Sequence, residues 1–215
     1  MFADATDTHL TPFGVVTCAS CHPAAGDDGL AWRIETQEIP RKLRRTPAVW
    51  QVDATEKPLH WDGQFATSED LILTTIRELL GGDALLVDPA AISAFMAESL
   101  APPGRPVATT EEPLVEAGRR AFTSDAAGCQ TCHMGERGTD GLAHDVLPEA
   151  PDQASRLAEA ITPPLTGVRG RAPYGHDARA ATLEDLLAVH TDGEGTTIEL
   201  TAEERRAIVA YLATR

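Results

Sequence analysis

Apolar residues recur at helical spacing in several segments of this 215-residue chain. In the clearest segment, Thr67 and Asp70 form a capping pair ahead of apolar positions that lie three or four residues apart, up to Leu79. Other segments of this kind lie at residues 90–100, 111–122, 182–190 and 201–212. No segment shows the alternation of apolar and polar residues that is typical of a strand. The pattern therefore predicts an all-α protein whose helices are joined by long loops.

Three sequence blocks occur twice, in the same order and at nearly the same spacing. The clearest pair is Trp61–Leu71, which matches His176–Leu186. Such a repeat predicts two tandem domains related by internal duplication, at residues 1–103 and 104–215, joined by the linker Ala101–Pro106. The first copy has no helix ahead of its first block, so we expect sequence to be missing at its start.

The most informative repeated block is Cys-x-x-Cys-His. It occurs at Cys18, Cys21 and His22, and again at residues 129–133, with Cys129, Cys132 and His133. Two thiols at this spacing can each add to a vinyl group of one porphyrin, and the following histidine can then bind the iron. The two motifs use all four cysteines of the chain. This pattern predicts two covalently attached haem c groups in cytochrome c-like domains.

Other uses of paired cysteines fit less well. A zinc ribbon keeps its two cysteine pairs about 15–20 residues apart, and here they are much further apart. Disulfide frameworks are typical of much shorter chains. A thioredoxin-like redox pair follows a strand, and the residues before Cys18 and Cys129 do not resemble strands.

The charge and hydropathy of the chain limit which binding partners and which cellular location can be expected. The net charge of −15 disfavours nucleic acid and favours a small redox protein with a complementary surface. No apolar run is long enough to span a bilayer. The first residues do not form a signal peptide, although haem attachment of this kind takes place outside the cytoplasm. We therefore expect a periplasmic or other extracytoplasmic bacterial protein, seen here as a fragment or domain.

Taken together, the motifs resemble the bacterial dihaem cytochrome c peroxidase and MauG superfamily. The resemblance rests on the two haem motifs, the Thr-Pro segments at Thr46 and Thr162, Trp61-Asp62-Gly63 and the block at residues 173–177. It implies that hydrogen peroxide reacts at the N-terminal haem and that the C-terminal haem supplies the electrons. It also implies that Trp61 lies between the two haems. The alternative for Trp61 is simple packing at a domain seam.

The resemblance also implies the axial ligands. His22 and His133 are the proximal ligands, and His190 occupies the position of the distal ligand of the second haem. The alternative for His190 is an exposed histidine at a helix end. The first haem is expected to be open, because Thr75 occupies the matching position and residues 32–45 contain no histidine. His60 is the alternative sixth ligand for this iron.

Two further expectations follow from the same resemblance. Glu78 is the candidate acid–base residue that assists cleavage of the peroxide O–O bond, and its alternative is a solvated helix carboxylate. A calcium ion between the domains is doubtful, since Arg45 stands where the family has an asparagine. The basic cluster Arg41–Arg45 either faces haem propionates or is a solvated loop.

The predicted function is therefore a dihaem peroxidase-type oxidoreductase. Electrons from a small redox protein enter at the C-terminal haem, and hydrogen peroxide is reduced at the N-terminal haem. One alternative is an electron-transfer-only cytochrome domain of a larger exported protein, in which both irons are closed. Another is a MauG-like oxidase that acts on a protein substrate.

Overall fold

Seven α-helices and four short β-strands form the main regular elements of the described residues. The computed structural model describes residues 2–4, 6–35, 41–52, 58–99, 104–146, 151–192 and 195–215. Its contacts divide the chain into two units, Met1–Ala101 with Gln153–Ser155 and Pro102–Asp152 with Arg156–Arg215. The predicted boundary after residue 103 and the first half of the predicted linker lie outside the described residues.

The first unit combines short helices with one antiparallel hairpin. Its elements are α1 (Cys18–Cys21), β1 (Ala31–Ile34), β2 (Lys42–Arg45), α2 (Ser68–Thr75) and α3 (Pro89–Glu98). A π-helical turn, Ile76–Leu80, continues α2 and ends at Gly81 in the left-handed conformation. The Thr67 side chain accepts a hydrogen bond from the Asp70 backbone N–H at 3.0 Å, so α2 begins at the cap that the sequence predicts.

The segment around Leu10 is part of the core of the first unit. Leu10 is fully buried and packs in the cluster that contains Ile72, Ile76 and Ile92. The Asp83 backbone N–H donates to the His9 carbonyl at 2.8 Å. A Cβ at Gly82 would lie only 2.2 Å from the Leu10 carbonyl oxygen, so only glycine allows this close approach.

The second unit is built around a pair of crossing helices. Its elements are α4 (Glu112–Phe122), α5 (Cys129–Cys132), β3 (Ala143–His144), β4 (Ala160–Ile161), α6 (Leu183–Leu187) and α7 (Ala202–Leu212). Helices α4 and α7 meet at Gly118, where an added Cβ would lie 1.8 Å from the Ala207 carbonyl oxygen. Phe122, Ile208 and Leu212 form the buried centre of this contact.

The beginning and the end of the second unit lie side by side. The Arg105 backbone N–H donates to the Ala213 carbonyl at 2.8 Å. A Cβ at Gly104 would lie 1.9 Å from the Thr214 carbonyl oxygen. The last residue is also held, since the Arg215 carbonyl accepts from the Gly167 N–H at 3.3 Å.

The predicted helices are confirmed, but the predicted fold class is wrong. Each of the five predicted helical segments contains a helix within its described residues. However, β1 with β2 and β3 with β4 form two antiparallel sheets, which an all-α fold does not contain. These strands could not be predicted from the sequence. Strand β2 is largely charged, and β3 and β4 have only two residues each, too few to show the alternation of a strand.

The expected internal duplication is not supported either. The two units differ in their elements: the first has an antiparallel pair of four-residue strands and a π-helical turn, and the second is dominated by the contact between α4 and α7. Similar blocks in the sequence therefore do not amount to two copies of one architecture.

In the part of the chain that the structure describes, no helix combines the length and the apolar character needed to span a bilayer.

Candidate haem sites

Both Cys-x-x-Cys-His motifs form a single helical turn. The cysteines of each motif are the first and last residues of α1 and α5, and His22 and His133 are the C-cap residues that follow. Residues three positions apart lie on the same face of a helix, so each pair of thiols shares one side. This is the arrangement that one porphyrin needs in order to bond both thiols and place its iron over the next residue.

The four thiols are free and protonated. None of them forms a disulfide. Burial raises the pKa of Cys129 to about 11, and it also raises the pKa of Cys18, Cys21 and Cys132. All four therefore remain available for thioether formation, and the residues present fit covalent haem.

A backbone carbonyl holds each proximal imidazole. His22 Nδ1 donates to the Gly26 carbonyl at 3.2 Å, and His133 Nδ1 donates to the Gly138 carbonyl at 2.9 Å. Histidines that bind metals usually donate their second N–H in this way, which fixes the ring and leaves Nε2 as the coordinating atom. The sequence does not reveal these partners, because any residue can supply a carbonyl.

The second unit brings a second imidazole next to His133. The ring centroids of His133 and His190 are 6.4 Å apart, and His190 Nδ1 donates to the Thr191 carbonyl at 2.7 Å. Two imidazoles bound to opposite faces of one metal ion, at about 2 Å each, have centroids about 6 Å apart. The spacing fits an iron held between the two rings.

Burial keeps both of these rings neutral at physiological pH. It lowers the pKa of His133 to about 4, with a smaller contribution from His190, and it also lowers the pKa of His190. A neutral imidazole is the form that coordinates a metal. The role of His190 as a ligand stays a prediction, and its position is compatible with that role.

In the first unit, His60 lies in a tight loop closed by a bridge between Leu59 and Phe65. Burial is the main cause that lowers the pKa of His60 to about 4. Thr75, at the position that matches His190 in sequence, ends α2. The openness of the first iron stays a prediction.

Trp61, next to His60, is hydrogen-bonded to the backbone of a residue in a buried ion pair. Trp61 Nε1 donates to the Arg45 carbonyl at 2.8 Å. The guanidinium of Arg45 contacts the Asp27 carboxylate at 2.7 Å, and both side chains are almost fully buried. One member of the basic cluster Arg41–Arg45 is therefore internal, which its charge alone did not predict.

Glu78 lies in the π-helical turn Ile76–Leu80, and its side chain is mostly buried. It accepts a hydrogen bond from Arg77 Nε at 3.0 Å. Turns of this kind are rare and often occur at functional sites. The local structure is compatible with a functional role for Glu78 but does not test it.

Near α5, Cys132 lies beside Asp140 and His144, two ligand-type residues that the sequence did not assign to a site. Ligand atoms of Cys132, Asp140 and His144 lie within 4.8 Å of one another, and His144 Nε2 is 2.7 Å from Asp140 Oδ2. A thioether bond at Cys132 would remove its thiolate from this set, so we assign no further metal ion here. Only the pairing of Asp140 with His144, four residues apart, could have been noticed in the sequence.

No family model matches the chain. The methylamine utilization protein MauG of Methylorubrum extorquens is 27% identical over 265 aligned positions, which cover 97% of this chain and 74% of MauG. This likeness over nearly the whole chain confirms the resemblance to the MauG and dihaem cytochrome c peroxidase superfamily that the motifs indicated.

Solved structures share the fold. A chain of hydrazine synthase from Kuenenia stuttgartiensis has a TM-score of 0.79 and 19% identity, over 100% of this chain and 84% of that chain. A MauG-like protein associated with microbial copper homeostasis has a TM-score of 0.72 and 21% identity, over 99% and 85%. The dihaem peroxidase BthA from Burkholderia thailandensis has a TM-score of 0.56 and 16% identity, over 97% and 83%.

Proposed function

We propose that this chain is a dihaem c-type oxidoreductase of the peroxidase type. The observation that carries the proposal is the difference between the two sites. In the second unit, two carbonyl-anchored imidazoles have ring centroids 6.4 Å apart, whereas in the first unit His22 is the one anchored imidazole among the described residues. A closed iron suits electron transfer and an open iron suits peroxide binding.

The chain's own residues have distinct parts in this proposal. Haem supplies the redox chemistry when it is bound. Cys18 and Cys21 would hold the first haem, and the Gly26 carbonyl orients His22 so that its Nε2 is left to bind iron. Cys129 and Cys132 would hold the second haem, with His133 and His190 as its two imidazole ligands.

Trp61 and Glu78 are proposed to serve the first site. Trp61 is held by its hydrogen bond to the Arg45 carbonyl, and a fixed aromatic ring is suited to carrying electrons toward the first haem. Glu78 is proposed to supply a proton during reduction, with Arg77 positioning its carboxylate at 3.0 Å.

The proposed substrates follow from this assignment. Hydrogen peroxide is reduced at the first haem, and a small redox protein delivers electrons at the second. The net charge of −15 favours a donor with a basic surface. An extracytoplasmic location is proposed because covalent haem of this type is attached there.

Electron paramagnetic resonance of the oxidised protein tests the proposal. We expect two haems per chain, one low-spin and one high-spin, with cyanide bound at one of them only. Peroxide should be consumed in the presence of a reduced cytochrome donor. Two low-spin haems and no cyanide binding would instead support an electron carrier and overturn the proposal.

A further inference from the structure

The loop that follows the first haem motif contains two alanines in an unusual backbone conformation. The φ of Ala24 is 50° and that of Ala25 is 59°, both in the left-handed region that residues with a side chain rarely adopt. In the loop that follows the second motif, the residues in this region are Gly135 and Gly138, with φ values of 68° and 70°. Glycine adopts this conformation without strain, and alanine does not. Contacts with the rest of the unit are therefore needed to hold the first loop in its shape.

This loop carries the carbonyl that orients the proximal histidine. The Gly26 carbonyl, directly after the two alanines, accepts the hydrogen bond from His22 Nδ1 at 3.2 Å. The Ala25 N–H donates to the His22 carbonyl at 3.1 Å, and the Gly26 N–H donates to the Pro23 carbonyl at 2.9 Å. Because the direction of a carbonyl depends on the backbone dihedral angles before it, relaxation of the two alanines would turn the Gly26 carbonyl away from the imidazole.

Trp50 contacts the loop through both its ring nitrogen and its ring carbons. Its Nε1 donates to the Ala24 carbonyl at 3.1 Å. Its ring lies so close to Gly26 that an added Cβ there would be 3.0 Å from Cζ2 of the indole. Beside it, the Val49 backbone N–H donates to the Ala25 carbonyl at 2.9 Å. One short segment therefore contacts all three residues that determine where the loop carbonyl points.

The indole is itself held by the core of the first unit. Trp50 packs against the buried apolar cluster that contains Ile72 and Ile92. The backbone N–H of the next residue, Gln51, donates to the Ser99 carbonyl at the end of α3, at 3.2 Å. A side chain anchored in this way can restrain a loop, whereas a mobile side chain would only follow it.

The second site has a different contact at the comparable place. The Leu165 backbone N–H donates to the Arg137 carbonyl at 2.9 Å, as the Val49 N–H does in the first loop. The residue after Leu165 is Thr166, whose hydroxyl donates to the same Arg137 carbonyl at 3.4 Å. A long hydrogen bond is sufficient there, because the left-handed residues of that loop are glycines. The indole is therefore specific to the loop that contains strained alanines.

We propose that Trp50 is a positioning residue for the first haem, which restrains the loop so that the Gly26 carbonyl stays aimed at His22 Nδ1. A carbonyl that accepts this hydrogen bond raises the basicity of the imidazole. A more basic axial ligand favours ferric over ferrous iron, so Trp50 lowers the reduction potential of the first haem. The inference rests on the proposed function in one respect, because it requires His22 to be a ligand of a first haem.

The test compares Trp50→Phe with the wild type in the haem-loaded protein. Phenylalanine keeps an aromatic ring against the core and lacks the N–H that holds the Ala24 carbonyl. Trp32→Phe is the matched control, because Trp32 lies in β1 of the same unit and donates its Nε1 to Asp28 at 2.9 Å rather than to the loop. The readouts are haem content and the midpoint potentials of both haems. Cys129→Ser removes one thioether of the second haem and so identifies which midpoint belongs to it.

We expect the midpoint potential of the first haem to rise in Trp50→Phe. At the wild-type midpoint, the ratio of reduced to oxidised first haem should increase by about 3- to 10-fold, as the loss of one hydrogen bond to the ligand implies. The second haem of Trp50→Phe and both haems of Trp32→Phe should keep their wild-type midpoints.

A rescue variant separates positioning from simple packing. Ala24→Gly, added to Trp50→Phe, should return the first midpoint toward the wild-type value, since glycine adopts the left-handed backbone without an indole to hold it. If Trp50→Phe matures with less than two haems per chain, the same addition should restore the missing haem.

Three results would overturn the inference while leaving the proposed function intact. The first is Trp50→Phe with both midpoints unchanged, and the second is an equal shift in Trp32→Phe. The third is a double variant in which Ala24→Gly restores neither the midpoint nor the haem content. The proposed function fails by a separate measurement, since a wild type with two low-spin haems that binds no cyanide is not a peroxidase, whatever the midpoint of its first haem.

Discussion

At the scale of single residues, a hydrogen bond at Nδ1 distinguishes the three proposed iron ligands from His60. Carbonyl oxygens hold His22, His133 and His190, and His60 is instead oriented by Phe65 and by its backbone. A ring held through Nδ1 presents Nε2 in one direction, which favours a permanent bond to a metal. His60 therefore differs in its surroundings from the three proposed ligands.

The first prediction concerns His190. In His190→Ala the second iron loses the proposed distal ligand, so its low-spin signal should convert to a high-spin one and the haem should bind cyanide. Electron paramagnetic resonance and cyanide titration measure both changes. His9→Ala, at an exposed position of the first unit, is the control. An unchanged spectrum in His190→Ala means that His190 is not bound.

Much of the haem chemistry could be predicted from single residues, and its fine geometry could not. The spacing of the cysteines and histidines can be read directly from the sequence. The hydrogen bonds from the imidazoles to the carbonyls of Gly26, Gly138 and Thr191 could not be predicted, because every residue has a carbonyl. Nor could the burial of Arg45 against Asp27 be predicted, since both residue types are usually exposed.

At the scale of elements, the second unit depends on the close crossing of α4 and α7. Gly118 removes the side chain that would otherwise collide with the Ala207 carbonyl. Phe122 and Ile208 can therefore pack at short range on either side of the crossing. Helix propensity argues against glycine in the middle of α4, so packing has overridden it here.

The second prediction concerns this crossing. Gly118→Ala should force α4 and α7 apart and lower the free energy of unfolding by about 1–3 kcal/mol, although alanine is the better helix former. Urea denaturation followed by circular dichroism measures it. Gly170→Ala is the matched control, because an added Cβ there meets no atom within 4 Å. Equal stability of the two variants would show that the helices adjust at little cost.

Helices could be predicted from the sequence and strands could not, for a physical reason. The caps at Thr67, Thr182 and Thr201 satisfy backbone N–H groups through a side chain in the same segment, so the signal is local. Strand β2 pairs with β1, and its residues Lys42–Arg45 show no alternation of apolar and polar positions. When two separate segments pair as strands, neither segment needs a sequence pattern that reveals the pairing.

At the scale of the whole molecule, the chain is strongly acidic and contains four partly buried imidazoles that are neutral at physiological pH. Burial lowers the pKa of His22, His60, His133 and His190. If His22, His133 and His190 bind iron as proposed, His60 is the one of these four left to exchange protons with solvent, and it should then govern how the stability responds to mild acid.

The third prediction is that acid response. The pKa of His60 is about 4 in the folded protein and 6.5 for an ordinary histidine, so the unfolded chain binds its proton more readily. The stability contribution is complete above pH 6.5 and is lost as the pH falls toward 4, by at most about 3 kcal/mol. Urea unfolding of the haem-loaded protein at pH 7 and pH 5 measures it.

His60→Gly should lose less stability than the wild type between these two pH values. Carboxylates such as Asp62, whose pKa is lowered, act in a different window, because their contribution is lost only below about pH 4. Equal losses in His60→Gly and the wild type would contradict the prediction.

The adjacency of Arg105 and Ala213 bears on how the second unit can be engineered. A short peptide could join the two positions directly, and new termini could be opened in an exposed loop elsewhere in the unit. Such a circular permutant should still mature with a single porphyrin. It would offer a one-haem module in which the electronic properties of the second site can be studied on their own.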